Sequence, residues 1–244
     1  MKKIALVTGG MGGIGSAICK ALADSGFNVV ATYSKAGREL QWLADMKESG
    51  YLFSAYECDV TDFDACVRMA EKVNEEIGPV DVLVNNAGIT RDATFKRMGQ
   101  LDWESVISTN LNSLFNVSKQ FLDAMVERNW GRVINISSIN GQKGQFGQTN
   151  YSAAKAGVHG FSMALAQEVA KKGVTVNTIS PGYIATEMVM AVPEDVRNKI
   201  IAGIPVNRLG TPEEIAGLVS YLASDLSGFM TGANIAINGG QHTC

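Results

Sequence analysis

Short runs of apolar, β-branched residues alternate with amphipathic stretches along the whole chain. The apolar runs, which we predict to be strands, span residues 3–7, 28–32, 52–57, 82–85, 132–136, 175–179 and 234–237. Their apolar residues are consecutive rather than alternating, which is typical of parallel strands covered on both faces. The amphipathic stretches, which we predict to be helices, span residues 14–23, 38–49, 62–77, 101–128, 150–171 and 212–223.

The order of these elements predicts the fold. A strand followed repeatedly by a helix implies right-handed crossovers and a doubly wound, Rossmann-type α/β fold, with a seven-stranded parallel sheet and helices on both faces. No linker-like segment or internal repeat interrupts the pattern, so we predict a single domain over residues 1–244. At one helix start Thr211 and Glu214 have the spacing of a capping box, and residues 61–64 form a weaker, acidic version.

Composition and charge exclude several classes of protein. Of the 244 residues, 46% are hydrophobic and 18% are charged, as in a globular protein. The net charge is −3 and no long run of like charges occurs, so we expect neither nucleic acid nor a membrane surface as a partner. The apolar start is too short for a signal peptide, and no stretch approaches the ~18 apolar residues of a membrane helix. We therefore expect a cytoplasmic protein.

Cysteine and histidine are too sparse to indicate a metal site. The cysteines contain no CxxC pair, and the histidines are far apart in the sequence. These residues are Cys19, Cys58, Cys66, Cys244, His159 and His242. We expect reduced thiols with packing roles and no bound metal.

The first predicted strand runs directly into a glycine cluster at residues 9–15, and a helix follows. Glycines permit a tight turn and let backbone N–H groups approach a pyrophosphate, which the helix N-terminus then stabilises. The cluster could be only a tight strand-to-helix turn, but its position favours dinucleotide binding. No Gly-Lys-Ser/Thr ending is present, which argues against a P-loop nucleotide hydrolase.

The segment after the second strand distinguishes the two nicotinamide dinucleotides. An NAD site usually has a carboxylate there for the ribose 2′-hydroxyl, but no acid occurs between residue 31 and Glu39. A 2′-phosphate is repelled by a carboxylate and bound by a guanidinium group. Ser34 and Arg38 are the candidates, with Lys35 a weaker one, although the segment could be an ordinary basic helix start. We predict NADPH/NADP+.

Tyr151 and Lys155 are four residues apart in a helical pattern, so their side chains share one face. Such pairs are common by chance, but Ser138 directly after the fifth strand and the glycine cluster upstream favour a catalytic reading. A phenol titrates near pH ~10, and a nearby ammonium group together with an oxidised nicotinamide favours its anion. We therefore expect Tyr151 to be acidic enough to protonate a substrate carbonyl, with Ser138 stabilising the charge on the same oxygen.

With these motifs in place, the chain resembles the short-chain dehydrogenase/reductases over essentially its whole length. The resemblance is carried by a Thr-Gly-x-x-x-Gly-x-Gly motif at 8–15, an Asn-Asn-Ala-Gly motif at 85–88 and a Pro-Gly turn at 181–182. It implies a catalytic tetrad of Asn110, Ser138, Tyr151 and Lys155. It also implies that Lys155 binds the ribose hydroxyls and that Asn110 holds a water that relays protons to Lys155.

The glycine cluster, the second strand and the resemblance together indicate a set of cofactor contacts along the chain. They are Gly9, Met11, Gly12, Gly13, Ile14, Gly15, Ser34, Arg38, Asp59, Val60, Asn86, Ala87, Gly88, Ile89, Thr90, Tyr151, Lys155, Pro181, Gly182, Ile184 and Thr186.

Within the family the chain resembles the reductases of 3-oxoacyl thioesters, through segments 9–15, 85–92, 140–151 and 180–186. This implies NADPH-dependent reduction of acetoacetyl-CoA to (R)-3-hydroxybutyryl-CoA, a step of polyhydroxybutyrate synthesis, in a homotetramer of D2 symmetry. The implied substrate contacts are Asp92, Ser138, Gln145, Gln148 and Tyr183. The loop residues among them could instead satisfy backbone groups or pack, but loops at the carboxyl ends of strands bind ligands in open α/β sheets.

Two other functions stay open. The first is reduction of the same acyl group on acyl-carrier protein, an acidic partner that basic residues at helix ends would suit. The candidates are Arg128, Lys171 and Lys172, which could equally complement helix dipoles. The loop at 145–148 favours coenzyme A as the carrier. A non-catalytic NADP(H)-sensing regulator is the more remote possibility, because the intact Tyr151 and Lys155 pair argues against lost catalysis.

Overall fold

Seven parallel strands form one sheet at the centre of the molecule, which is described by a computed structural model over residues 2–243. The strands are β1 (Ile4–Val7), β2 (Asn28–Tyr33), β3 (Ser54–Glu57), β4 (Val82–Asn85), β5 (Gly131–Ile136), β6 (Val174–Pro181) and β7 (Asn234–Ile237). Their order across the sheet is β3-β2-β1-β4-β5-β6-β7, and every neighbouring pair is parallel. The predicted doubly wound α/β fold is confirmed.

The part of the chain from residue 2 to 243 contains ten α-helices, several of which pack on the two faces of the sheet. They are α1 (Gly13–Asp24), α2 (Arg38–Glu48), α3 (Phe63–Glu76), α4 (Gln100–Ile107), α5 (Ser113–Glu127), α6 (Asn140–Lys143), α7 (Thr149–Val169), α8 (Glu187–Met190), α9 (Glu194–Ala202) and α10 (Pro212–Ala223). One apolar core lies beneath α1 and α10 and includes Ile18, Leu22 and Leu222. The other lies beneath α3, α5 and α7 and includes Phe121 and Met125. The central strands β1 and β4 are buried along their whole length, which explains why their sequences are nearly continuously apolar, whereas the edge strands β3 and β7 are partly exposed.

The predicted helix over residues 101–128 is wrong in one respect, because a π-helical turn at Ser108–Asn112 separates α4 from α5. A π turn inserts one residue into the helical repeat, and such insertions occur frequently at functional sites. The apolar periodicity survives on both sides, so the sequence pattern could not locate the insertion. The short helices α6, α8 and α9 were not predicted, because each is too short or too polar to show a clear period.

Capping is confirmed at α10 and corrected at α3. The Thr211 hydroxyl accepts from the Glu214 N–H at 3.3 Å, and the Glu214 carboxylate accepts from the Thr211 N–H at 2.8 Å. At α3 the N-cap is Asp62, whose carboxylate accepts hydrogen bonds from the N–H groups of Asp64 and Ala65. Thr61 instead donates its hydroxyl to Asp59 at 2.8 Å.

Cysteines 19, 58 and 66 are free and buried, whereas Cys244 lies outside the described residues. The Cys58 and Cys66 sulfur atoms are 3.7 Å apart, and burial raises the pKa of the Cys19 thiol. Within residues 2–243 no helix is both long and apolar enough to cross a bilayer, and no three metal-ligating side chains are grouped.

The strand order reverses direction at β1, which lies between β2 and β4. Chain segments leaving β1 and β4 therefore turn to opposite faces and open a crevice at the carboxyl ends of the strands. The loops that follow β1, β4, β5 and β6 all leave from this edge.

Candidate active site

A tight turn at residues 8–12 joins β1 to α1 and forms the floor of the crevice. Gly9 has φ +60°, a left-handed conformation that favours glycine, and the Gly12 N–H donates to the Gly9 carbonyl at 3.2 Å. Gly12 is the N-cap of α1 and offers no side chain to the first turn. The N–H groups of that turn are therefore open to an anionic ligand.

The turn has no room for side chains where the chain approaches itself. A Cβ on Gly15 would clash with the Gly9 carbonyl oxygen and lie 2.8 Å from the Gly10 Cα, and one on Gly10 would lie 2.7 Å from the Ala31 Cβ. Such close packing of β1, β2 and α1 at a helix N-terminus fits a dinucleotide pyrophosphate. Gly10 was not among the predicted cofactor contacts, because motif spacing does not reveal which glycine faces β2.

Thr8 and Asn86 fasten this turn to the end of β4. The Thr8 hydroxyl accepts from the N–H groups of Asn86 and Ala87 at 3.0 and 3.1 Å. The Asn86 side-chain amide donates to the carbonyls of Thr8 and Gly9 at 3.0 and 3.1 Å. Asn86, predicted as a cofactor contact, therefore uses its amide to hold the glycine turn in place.

The residues predicted to recognise the adenosine half lie along the ends of β2 and β3. Ser34 and Arg38 are exposed, and Arg38 is the first residue of α2. Glu39 accepts from the Gly37 N–H at 2.6 Å, so its carboxylate is bonded to the loop backbone. Asp59 is exposed and accepts from the backbone and hydroxyl of the residue two positions on, whereas Val60 is buried.

Asn110 lies in the π-helical turn and is fully buried. Its amide oxygen accepts from the Ile89 N–H and its amide nitrogen donates to the Ile89 carbonyl, both at 2.8 Å. A Cβ on Gly88 would lie 3.1 Å from the Asn110 oxygen and 3.7 Å from the Lys155 ammonium nitrogen. Asn110 and Lys155 therefore meet beside Gly88 at the end of β4, and the π turn is the feature that brings Asn110 there.

Tyr151 and Lys155 lie on one face of α7, with the lysine nitrogen 5.7 Å from the centre of the phenol ring. The Lys155 nitrogen donates to the Ile136 carbonyl at 2.7 Å. Burial lowers the pKa of Lys155 to about 8. Ser138 is buried after β5, and its oxygen accepts from the Asn140 N–H at 3.1 Å. The structure thus brings all four predicted tetrad residues to the carboxyl edges of β4 and β5.

The expectation that Lys155 and an oxidised nicotinamide together favour the Tyr151 phenolate stays a prediction. Burial raises the pKa of the Tyr151 phenol, and the negative charge of Asp92 raises it further, while the nearby Ser138 hydroxyl lowers it. Desolvation disfavours the phenolate, so these surroundings favour the protonated form of Tyr151, which is the form that can donate a proton.

The loop between β5 and α7 meets the loop after β4 through Gln148. The Gln148 amide donates to the Asp92 carboxylate at 2.8 Å, and its oxygen accepts from the Asn140 amide at 2.9 Å. Asn140, which is buried, was not singled out from the sequence, because nothing in its local motif indicates this contact. Gln145 is exposed at the tip of the same loop.

The loop after β6 covers the glycine turn from the other side. A Cβ on Gly13 would lie 3.3 Å from the Thr186 methyl group, and one on Gly182 would lie 2.8 Å from the Asn238 Cα. Tyr183 is half-buried, and its pKa is raised by burial and by the charge of Asp92. The Asp92 charge thus acts on both phenols, Tyr183 and Tyr151.

The fold and this cleft define a nicotinamide-dependent oxidoreductase. The sequence model of the short chain dehydrogenase family matches residues 3–197, and the chain belongs to this family.

Curated relatives cover nearly the full length of the chain. It is 61% identical over 242 residues to the acetoacetyl-CoA reductase of Cupriavidus necator, an alignment that covers 99% of this chain and 98% of the relative. It is 57% identical over 242 residues to the acetoacetyl-CoA reductase of Allochromatium vinosum, with 98% of each chain covered. The 3-oxoacyl-[acyl-carrier-protein] reductase of Vibrio harveyi is 42% identical over 240 residues, with 98% of this chain and 97% of the relative covered.

Proposed function

We propose that this chain uses NADPH to reduce the ketone of a 3-oxoacyl thioester, converting acetoacetyl-CoA to (R)-3-hydroxybutyryl-CoA in the cytoplasm. The observation that carries the proposal is the placement of Tyr151, Ser138 and Lys155 together at the edge of the glycine-lined cleft. The two relatives at 57 and 61% identity support coenzyme A as the carrier, since both are acetoacetyl-CoA reductases.

The roles of the residues follow from their surroundings. Bound reduced nicotinamide supplies a hydride to the ketone carbon. The Tyr151 phenol donates its proton to the carbonyl oxygen, and the Ser138 hydroxyl stabilises the charge developing there. The Lys155 ammonium group favours the phenolate that remains after this transfer. Asn110 holds the Ile89 backbone and so fixes the end of β4 beside Lys155.

A comparison of carriers and cofactors tests the proposed function. The measurement is kcat/KM for acetoacetyl groups on coenzyme A and on acyl-carrier protein, each with NADPH and with NADH. We expect the highest value for the coenzyme A thioester with NADPH. A higher value on acyl-carrier protein would favour the alternative carrier. Binding of NADPH without turnover of either thioester would favour the NADP(H)-sensing regulator.

The basic residues considered for acyl-carrier protein lie away from the cleft within the chain. Arg128 donates to the Val80 carbonyl at 2.6 Å and lies 3.3 Å from an Asp81 carboxylate oxygen. Residue 128 shortly precedes β5, and residues 171 and 172 shortly precede β6, so all three lie at the amino ends of the strands. The cleft is at the opposite edge, which supports the coenzyme A reading.

Replacing Arg38 with alanine is expected to cause a selective loss of NADPH use. The Arg38 guanidinium is exposed at the start of α2, where it can pair with a 2′-phosphate that NADH lacks. We expect kcat/KM with NADPH to fall about tenfold or more and kcat/KM with NADH to change little. Equal losses with both cofactors would contradict a contact to the 2′-phosphate. Arg68→Ala, on the exposed side of α3, is the matched control.

Replacing Asp92 with asparagine is expected to change the pH dependence of reduction. The Asp92 charge raises the pKa of Tyr151, and asparagine removes that charge while its side-chain oxygen can still accept from Gln148. Reduction requires the protonated phenol, so turnover falls as pH rises through the pKa of Tyr151. The alkaline fall of kcat should therefore begin at a lower pH in the variant. An unchanged profile, equal to that of the remote Asp123→Asn control, would contradict this.

We further propose that the protein is a homotetramer. Large apolar side chains are exposed on α4, α5 and α7, including Leu101 at 81%, Phe115 at 56% and Met163 at 51%. Contiguous exposed apolar groups mark interaction surfaces, and closed symmetric assemblies are the usual result. Light scattering at micromolar concentration is expected to give the mass of four chains. A monomeric mass would contradict the proposal.

A further inference from the structure

His159 lies on α7 one turn beyond Lys155, and its ring contacts two serine hydroxyls from the sheet. Its Nε2 is 3.0 Å from the Ser137 oxygen and 3.3 Å from the Ser180 oxygen. Both serines are buried, and each directly precedes a residue of the site, namely Ser138 and Pro181. The imidazole therefore bridges the ends of β5 and β6 from the helix that carries Tyr151 and Lys155.

The direction of each hydrogen bond follows from the partners. The Ser137 hydroxyl donates to the Lys155 carbonyl at 2.8 Å, and the Ser180 hydroxyl donates to the Asn234 amide oxygen at 2.7 Å. A hydroxyl has one proton, so neither serine has another to offer His159. We therefore assign the proton to Nε2, which in this tautomer donates to both oxygens.

This single N–H group determines where the two serine protons point. Without it, Ser137 and Ser180 would lose a donor in a buried setting and each hydroxyl could rotate to another acceptor. Ser137 is the side chain that holds the carbonyl of Lys155 to the end of β5. Ser180 ties the start of the Pro181 turn to Asn234 on β7. The bridge thus links Lys155, Ser138 and the turn at Pro181, which is the nicotinamide-side turn of the proposed reductase.

We propose that His159 is a positioning residue for the reduction, whose Nε2–H holds the backbone of Lys155 and of Pro181 in register through Ser137 and Ser180. The side-chain contacts of His159 are these two hydroxyls, and we infer that its effect is transmitted through them. A displacement of about 1 Å in a catalytic group can cost about a hundredfold in rate. The inference rests on the proposed function, and its test includes a measurement that does not require turnover.

The test compares three substitutions at position 159 with a control on the same helix. His159→Leu removes the donor and keeps an apolar side chain of similar bulk. His159→Gln can place an amide N–H near the position of Nε2, whereas His159→Asn is too short to do so. Ser162→Ala is the matched control, because Ser162 is buried on α7 and bonds to Asn135 and Thr178, away from the tetrad.

The first measurement is steady-state reduction of acetoacetyl-CoA at a temperature where all variants are folded. We expect kcat to fall about tenfold or more in the Leu and Asn variants, with KM within about threefold of the wild-type value. The Gln variant should recover kcat to within about threefold, and the Ser162 control should lose thermal stability with little loss of kcat. If the Leu variant does not fold, the Asn variant supplies the same comparison.

The second measurement is an ultraviolet titration of the Tyr151 phenol in the NADP+ complex, with the spectrum of the matching Tyr151→Phe protein subtracted. The charged groups near Tyr151 are Lys155 and Asp92, and no variant removes either. If Lys155 moves away, it stabilises the phenolate less, so the pKa of Tyr151 should rise in the Leu and Asn variants and return in the Gln variant.

Equal kcat and equal Tyr151 pKa in the Leu, Asn and wild-type proteins would overturn the proposal, as would a Gln variant that is as impaired as Leu. A wild-type protein that reduces no thioester would refute the proposed function only. The titration would then decide the role of His159.

Discussion

Tyr151→Phe is expected to lose nearly all reductase activity while NADPH still binds. The substitution removes the phenol oxygen and keeps the ring, so only the proton donor is lost. General acids contribute about 10²–10⁴-fold to a rate, and kcat should fall by an amount in that range. Steady-state kinetics measures the loss, and quenching of protein fluorescence by NADPH measures binding.

A result above about a tenth of the wild-type kcat would show that Tyr151 is not the acid. Tyr33→Phe is the matched control. Tyr33 is half-buried at the end of β2, away from the tetrad. The pKa of its phenol is raised by burial and by the charges of Glu39 and Glu57. We expect its removal to leave kcat close to the wild-type value.

Gly15→Ala is expected to reduce both stability and cofactor affinity. The new Cβ would meet the Gly9 carbonyl oxygen and would lie 2.8 and 2.9 Å from the Gly10 Cα and carbonyl carbon, which are all backbone atoms. Backbone cannot rotate away as a flexible side chain can, so the turn and α1 must separate. Overpacking of this kind costs about 1–3 kcal/mol in the free energy of unfolding. Denaturant unfolding measures that loss, and an NADPH titration should show weaker binding because the N–H groups of the turn shift.

Gly217→Ala is the matched control for the effect of an added methyl group. Gly217 lies in α10 with open space around its Cα, so alanine meets nothing and removes the entropic cost of a helical glycine. We expect this variant to gain about 0.5–1 kcal/mol of stability with unchanged NADPH affinity. A Gly15→Ala protein as stable as this control would contradict the packing argument.

The residues of the candidate site were largely predictable from the sequence, but their pKa values were not. Tyr151 and Lys155 share a helix, so their spacing alone places them on one face. The pKa of Tyr151 depends on burial and on Asp92, which lies 59 positions earlier in the chain. Neither the extent of desolvation nor a charge brought in by another loop can be read from a local pattern.

The same distinction applies to the polar contacts that hold the site. Asn86 was identified as a site residue from its motif, but its hydrogen bonds to Thr8 and Gly9 depend on the pairing of β1 with β4. His159 carried no signal in the sequence beyond its being one of two histidines. Its two serine partners, one directly after β5 and one on β6, come within reach only when α7 packs across both strands.

The sequence by itself determined the strand and helix order, the glycine turn at the carboxyl end of β1, the capping box of α10 and the facing pair on α7. These features depend on periodicity, backbone freedom and spacing, all of which are local properties of the chain. Tertiary structure alone decided the π turn that brings Asn110 to Ile89, the burial and the charge around Tyr151 and the bridge made by His159. Each of those depends on distance and desolvation between segments far apart in the chain, which only the packed sheet and its helices define.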